Sequence, residues 1–68
     1  MNKLTIQIAS VPDREGIVAE IWFLDLLVAE IYRNNEVLEL EFYFNKNIAI
    51  DLNEFMTTLE IAKRKLSM

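Results

Sequence analysis

The chain has 68 residues, 53% of them hydrophobic, with no cysteine, no histidine and a formal net charge of −4. That length gives one domain near the lower size limit for folding alone, held by roughly 3–10 kcal/mol. Without cysteine, neither disulfides nor a thiolate metal site can staple it, so stability must come from apolar burial. The interior is too small for all of that apolar material, so some of it must lie at the surface or at an interface.

The first element is written by alternation. Leu4, Ile6 and Ile8 alternate with Lys3, Thr5 and Gln7, the period of a half-buried strand over about 3–9. Val11-Pro12-Asp13-Arg14-Glu15-Gly16 then reads as a turn, because Pro12 presets its backbone and Gly16 tolerates unusual dihedrals.

Residues 17–32 have helix-like Ala, Leu and Glu content. A helix would scatter Glu20, Asp25 and Glu30 around its circumference and leave no polar face. Two strands, over about 17–23 and 27–33 with a turn near Leu24-Asp25-Leu26, place both glutamates on one face. Ile17, Ala19, Ile21 and Phe23 then face the core with Leu27, Ala29 and Ile31. The strand reading explains more of the pattern.

Asn34-Asn35 marks a hairpin, since Asn tolerates the positive φ of a type I′ turn. A two-residue loop there leads into a fourth strand over about 36–44. It pairs Tyr32 with Val37, Glu30 with Glu39 and Val28 with Glu41. The inner pairs, Ile31 with Leu38, Ala29 with Leu40 and Leu27 with Phe42, are all apolar. Asn45-Lys46-Asn47 is a polar turn. Ile48-Ala49-Ile50 reads either as a short fifth strand or as an extended lead into a helix.

Asp51 followed by Glu54 starts that helix in the manner of a capping box. It runs over about 52–66 with Leu52, Phe55, Met56, Leu59, Ala62 and Leu66 as its apolar stripe. Lys63, Arg64 and Lys65 complement the dipole in its last turn. The expected fold is therefore α+β: an antiparallel meander of four strands, or five with 48–50, packed on one C-terminal helix.

The outer sheet face carries a repeat. Val18-Ala19-Glu20-Ile21-Trp22 returns ten residues later as Val28-Ala29-Glu30-Ile31-Tyr32, and Leu38-Glu39-Leu40-Glu41-Phe42-Tyr43 is a looser echo. With a three-residue loop in the first of these hairpins, Glu20, Glu30 and Glu39 line up across neighbouring strands. Opposed like charges cost about 0.2–1 kcal/mol per pair, so packing alone does not call for this row. Trp22, Tyr32 and Tyr43 flank it, and aromatic residues dominate interface hot spots. Glu20, Trp22, Glu30, Tyr32, Glu39, Glu41 and Tyr43 are thus the candidate partner-binding residues. A basic protein surface could pair with the acids and stack on the rings. The alternatives are a plain solvated face, or a homodimer formed through an edge strand or through the rings.

Other function classes are disfavoured. The commonest general base and the best nucleophile are both missing, so no catalytic residue is assigned. Paired carboxylates can hydrolyse glycosides, but they need a cleft with one acid partly buried. A Mg²⁺ or Ca²⁺ between Glu20, Glu30 and Glu39 lacks a loop to wrap it, and the single glycine excludes a phosphate-cradling loop. No metal or cofactor is expected. Residues 15–41 hold seven acids against Arg33, which disfavours nucleic acid. Glu20, Asp25 and Glu30 interrupt the apolar stretch, which disfavours a membrane span. No targeting pattern is visible, so a cytoplasmic location is expected.

The run Ile8-Ala9-Ser10-Val11-Pro12-Asp13-Arg14-Glu15, then Val18-Ala19-Glu20-Ile21, resembles a group of short uncharacterised bacterial proteins. Ala62-Lys63-Arg64-Lys65-Leu66 resembles their ends. The resemblance spans most of the chain and implies a bacterial or phage origin, with no established activity. Small acidic bacterial proteins are often immunity proteins or antitoxins that block a basic nuclease, which by analogy suggests an inhibitor, host- or phage-encoded. The chain departs from the group at Phe23-Leu24-Asp25-Leu26, where an Asn-rich turn would be expected, and this apolar tip hints at a contact site.

Overall fold

In a computed structural model of the chain, residues 3–12, 16–43 and 46–67 are described. The turn expected over Val11–Gly16, the polar turn at Asn45 and the last residue of the expected fourth strand, Phe44, lie partly or wholly outside them. Four strands, β1 (Leu4–Ser10), β2 (Ile17–Phe23), β3 (Leu26–Asn34) and β4 (Val37–Phe42), precede one helix, α1 (Leu52–Leu66). The strands form an antiparallel meander in the order β1-β2-β3-β4, and α1 packs on one face, giving an α+β fold.

Residues 48–50 are not a fifth strand. Ile48 and Ile50 are partly buried against the core, in an extended segment that leads into α1.

Both inner hairpins close differently from the sequence expectation. Phe23 pairs with Leu26, so the β2–β3 turn is the two residues Leu24-Asp25, not three. The spare residue appears as a bulge: Ile21 pairs with Ala29 and Trp22 with Leu27, which leaves Val28 extra. Parity flips on the turn side of that bulge. Leu26 joins the core and Leu27 lies on the outer face with Trp22, the reverse of the expected placement. Val28, expected outside, is fully buried within the core cluster.

In the β3–β4 hairpin, Asn34 pairs with Val37, so the loop is Asn35-Glu36 and Asn35 takes the positive φ of 60°. The register moves by two residues from the expected one. A shift of two preserves every face but changes every partner: Glu30 faces Glu41, Tyr32 faces Glu39 and Ile31 faces Leu40.

The core lies where α1 crosses β1 and β2 and reaches β3. Ala19, Ala29 and Ala62 are all fully buried there, and their small side chains let helix and sheet approach closely. Leu4, Ile21, Val28 and Ile31 complete the buried cluster, with Phe55 and Leu59 partly buried against it. Two members of the expected helical stripe, Leu52 and Met56, are instead exposed, and Thr58 is buried in their stead. The helix lies over the β1–β2 side of the sheet, so the flank of its stripe that looks toward β4 is left uncovered. Leu40 and Phe42, on the inner face of β4, are correspondingly exposed.

Candidate functional site

The two copies of the repeat are paired with each other. Ala19 lies opposite Ile31, Glu20 opposite Glu30 and Ile21 opposite Ala29. A spacing of ten residues, divided between a two-residue turn and a one-residue bulge, brings the two glutamates face to face. The equivalence ends at their flanks. Val18 is on the outer face, opposite Ala9, whereas Val28 belongs to the core; Trp22 faces Leu27, whereas Tyr32 faces Glu39.

The carboxylate row therefore has different members from those expected. It runs Glu20, Glu30, Glu41 across β2, β3 and β4, with the neutral amide of Gln7 continuing the line on β1. Glu39 is not in it, because the two-residue shift of β4 moves it beside Tyr32. Neighbouring strands are spaced about 4.8 Å apart, so the two Glu–Glu oppositions are close ones.

The row is also less solvated than a bare sheet face would be. Glu30 is only 6% exposed, and Glu20 and Glu41 are half-buried. Val18 is fully buried yet stands apart from the main core cluster. Carried one step past Ala19–Ile31, the β2–β3 register sets Tyr32, itself half-buried, opposite Val18. Sequence alternation placed Val18 on the outer face, opposite Ala9, but could not show that it is fully buried there. The signal available was Val18 alone, an apolar residue at an outward position beside Glu20.

The flanking polar groups aim at the acids. Trp22 Nε1 donates to Glu20 Oε1 at 3.3 Å, Tyr43 Oη to Glu41 Oε1 at 3.3 Å and Asn34 Nδ2 to Glu39 Oε1 at 3.4 Å. These are long bonds that orient the carboxylates more than they neutralise them. No buried side-chain nitrogen or oxygen among the described residues lacks a hydrogen-bond partner, so the burial of Glu30 leaves no orphaned atom. Among the described residues no group of three or more His, Cys, Asp or Glu side chains is placed to hold a metal ion. No described helix is long and apolar enough to cross a membrane.

A second feature lies on the other side of the molecule. An open groove of about 740 Å³ runs between β1 and the start of α1, lined by Lys3, Ile6, Asp51, Glu54 and Thr57 among others. Within it Glu54 Oε2 accepts from the backbone amides of Lys3 at 2.6 Å and Leu4 at 2.9 Å. Glu54 here ties helix to sheet, and its carboxylate is engaged by the fold.

Comparison with protein-family models, with curated proteins and with solved structures finds no match. The resemblance of the Ile8–Glu15 run rests on its motif alone.

Proposed function

We propose that this chain is a small non-enzymatic binding protein, an inhibitor of the immunity or antitoxin type, whose acidic and aromatic sheet face engages a basic protein partner. The observation that carries the reading is the row Glu20, Glu30, Glu41, with its middle carboxylate nearly buried. A small fold gains no stability from opposing like charges twice on adjacent strands. A partner that presents Lys or Arg converts that repulsion into attraction, and the prepaid orientation by Trp22 and Tyr43 favours association. A basic nuclease suits this chemistry, because its own surface must be positive to hold phosphates.

Tyr32 and Tyr43 extend the surface, and Glu39 with Asn34 forms its rim. The absence of His and Cys from the chain supports a binding role over a catalytic one.

Trp22 is the sole tryptophan and reports directly on the row. In a fluorescence titration with hexa-arginine at low ionic strength, binding should weaken steeply with added salt. Glu20→Gln should weaken it about two- to fivefold, the loss of one partly screened charge pair. Glu60→Gln, on the exposed helix, should leave it unchanged. Equal loss in both variants would mean that only net charge matters, and the reading would fall.

A further inference from the structure

The two edges of the sheet are not alike. The backbone amide of Leu24 donates to the carbonyl of Lys3 at 2.9 Å, so by ladder alternation Leu4, Ile6 and Ile8 turn their amides away from β2. The first of these is taken by Glu54, and α1 lies over this side of the sheet. At the other end, the amide of Tyr43 donates to the carbonyl of Val28 at 2.9 Å. The same alternation turns the amides and carbonyls of Leu38 and Leu40 away from β3, where no further strand follows among the described residues.

That edge has two chemically distinct sides. Its outer face shows Glu39 and Glu41. Its inner face shows Leu40 and Phe42, the latter 50% exposed although its ring stacks on Phe55 at 6.4 Å. Beneath lies an apolar cavity of about 210 Å³ lined by Phe42, Ile48, Ile50, Leu52 and Phe55. It is below the roughly 300 Å³ at which small-molecule pockets begin, and of a size for a side chain.

We infer that the β4 edge is completed by an extended basic segment of the partner, which adds as a fifth strand with Lys or Arg over Glu39 and Glu41 and apolar side chains over Leu40, Phe42 and the cavity. The inference rests on the proposed reading of the sheet face and adds how the partner enters. Charge complementarity selects this occupant. A second copy is the obvious competitor, since β4 has the right alternation to pair with itself. A two-fold antiparallel pairing centred on Leu40, however, sets Glu39 of one copy opposite Glu41 of the other, twice. Shifting the centre by one residue along β4 sets Glu39 opposite Glu39 or Glu41 opposite Glu41. Acids on an edge protect against self-pairing, and the same acids attract a basic strand. Strand addition also supplies what a flat acidic face cannot, namely backbone hydrogen bonds that fix the register of the partner.

The test is amide hydrogen exchange of the full chain, read by NMR, with a blocked seven-residue peptide of alternating Lys and Val. At ten times its Kd, the peptide should slow exchange at Leu38 and Leu40 about tenfold, and leave Ile6 and Ile8 on the opposite edge unchanged. A peptide of the same composition with its lysines grouped should give no such protection. Leu40→Pro removes an outward amide without breaking the β3 ladder, and should abolish the protection while hexa-arginine binding at Trp22 survives. Should that variant fail to fold, exchange in the unaltered chain still decides. Peptide binding that is salt-sensitive and quenches Trp22 but leaves Leu38 and Leu40 exchanging freely overturns the edge inference and leaves the face reading standing. Failure of both hexa-arginine and the alternating peptide to bind overturns the two together. Leu38 and Leu40 amides already protected in the free protein, with a sedimentation mass of twice 8.0 kDa, would give the edge to a second copy and refute the inference.

Discussion

Glu54 shows how much one residue can hold in so small a fold. Its own amide donates to the N-cap carboxylate of Asp51 at 2.8 Å, which starts the helix. In an ordinary capping box its side chain would reach back to the cap residue. Here it reaches across the chain to the amides of Lys3 and Leu4 instead. The cap was readable in the sequence, because Asp51 and Glu54 are three residues apart and the chemistry is local. The tie to β1 was not, because it spans about fifty residues and depends on where the helix lands. Leu4 is buried, so its amide would be orphaned without the carboxylate. Glu54→Ala should therefore destabilise by about 1–3 kcal/mol in urea denaturation, and Glu54→Gln, which keeps an acceptor, by less than half of that. A change under about 0.3 kcal/mol for the alanine variant would mean that water replaces the carboxylate without loss.

At the scale of elements, the β2–β3 hairpin was legible in its faces from Ala19–Ile31 to Ile21–Ala29, and illegible in its closure and in the faces on the turn side of the bulge. The distance from Glu20 to Glu30 admits a three-residue loop, or a two-residue loop with a bulge, and both bring the glutamates together. What differs is whether Leu26 or Leu27 turns inward, and two adjacent leucines carry no signal to choose. The β3–β4 loop failed for a similar reason: Asn34 and Asn35 both tolerate positive φ, and a shift of two leaves hydrophobic alternation intact. Closure with two residues has a cost at Leu24, whose φ of 57° lies in the left-handed region. For a residue with a Cβ that costs about 1–2 kcal/mol. Leu24 is 64% exposed, so little packing offsets it. Leu24→Gly removes the strain and returns roughly 0.5–1 kcal/mol of it through the extra freedom of the unfolded chain. The net gain should be about 0.5–1 kcal/mol, raising the melting temperature by about 2–8 °C. A lower melting temperature would show that the Leu24 side chain stabilises the tip by contacts of its own.

At the scale of the whole molecule, charge and shape oppose each other. Seven acids against one base lie within residues 15–41, and the meander gathers Glu20, Glu30 and Glu41 into one row. The cations Lys63, Arg64 and Lys65 are held apart at the end of α1, where they favour the helix by roughly 0.3–1 kcal/mol. Salt weakens both terms, so the sign of its effect on stability tells which is larger. The helix-end cations are exposed and already screened at modest ionic strength. The glutamates are separated by about one strand spacing and partly buried, so their repulsion falls only as the Debye length approaches that spacing, from about 10 Å at 0.1 M to about 3 Å at 1 M. Repulsion should therefore dominate the response above 0.1 M. The urea midpoint is expected to rise between 0.05 and 1 M sodium chloride by about 0.5–1 M, at a slope of about 1 kcal/mol per molar urea. Glu20→Gln should raise stability by about 0.2–1 kcal/mol at low salt and flatten the salt response, because it removes one of the two Glu–Glu oppositions. A parallel rise in the variant and the unaltered chain would place the salt effect outside the row. A flattened rise would show that the fold bears an electrostatic cost at the very residues to which a basic partner would bind.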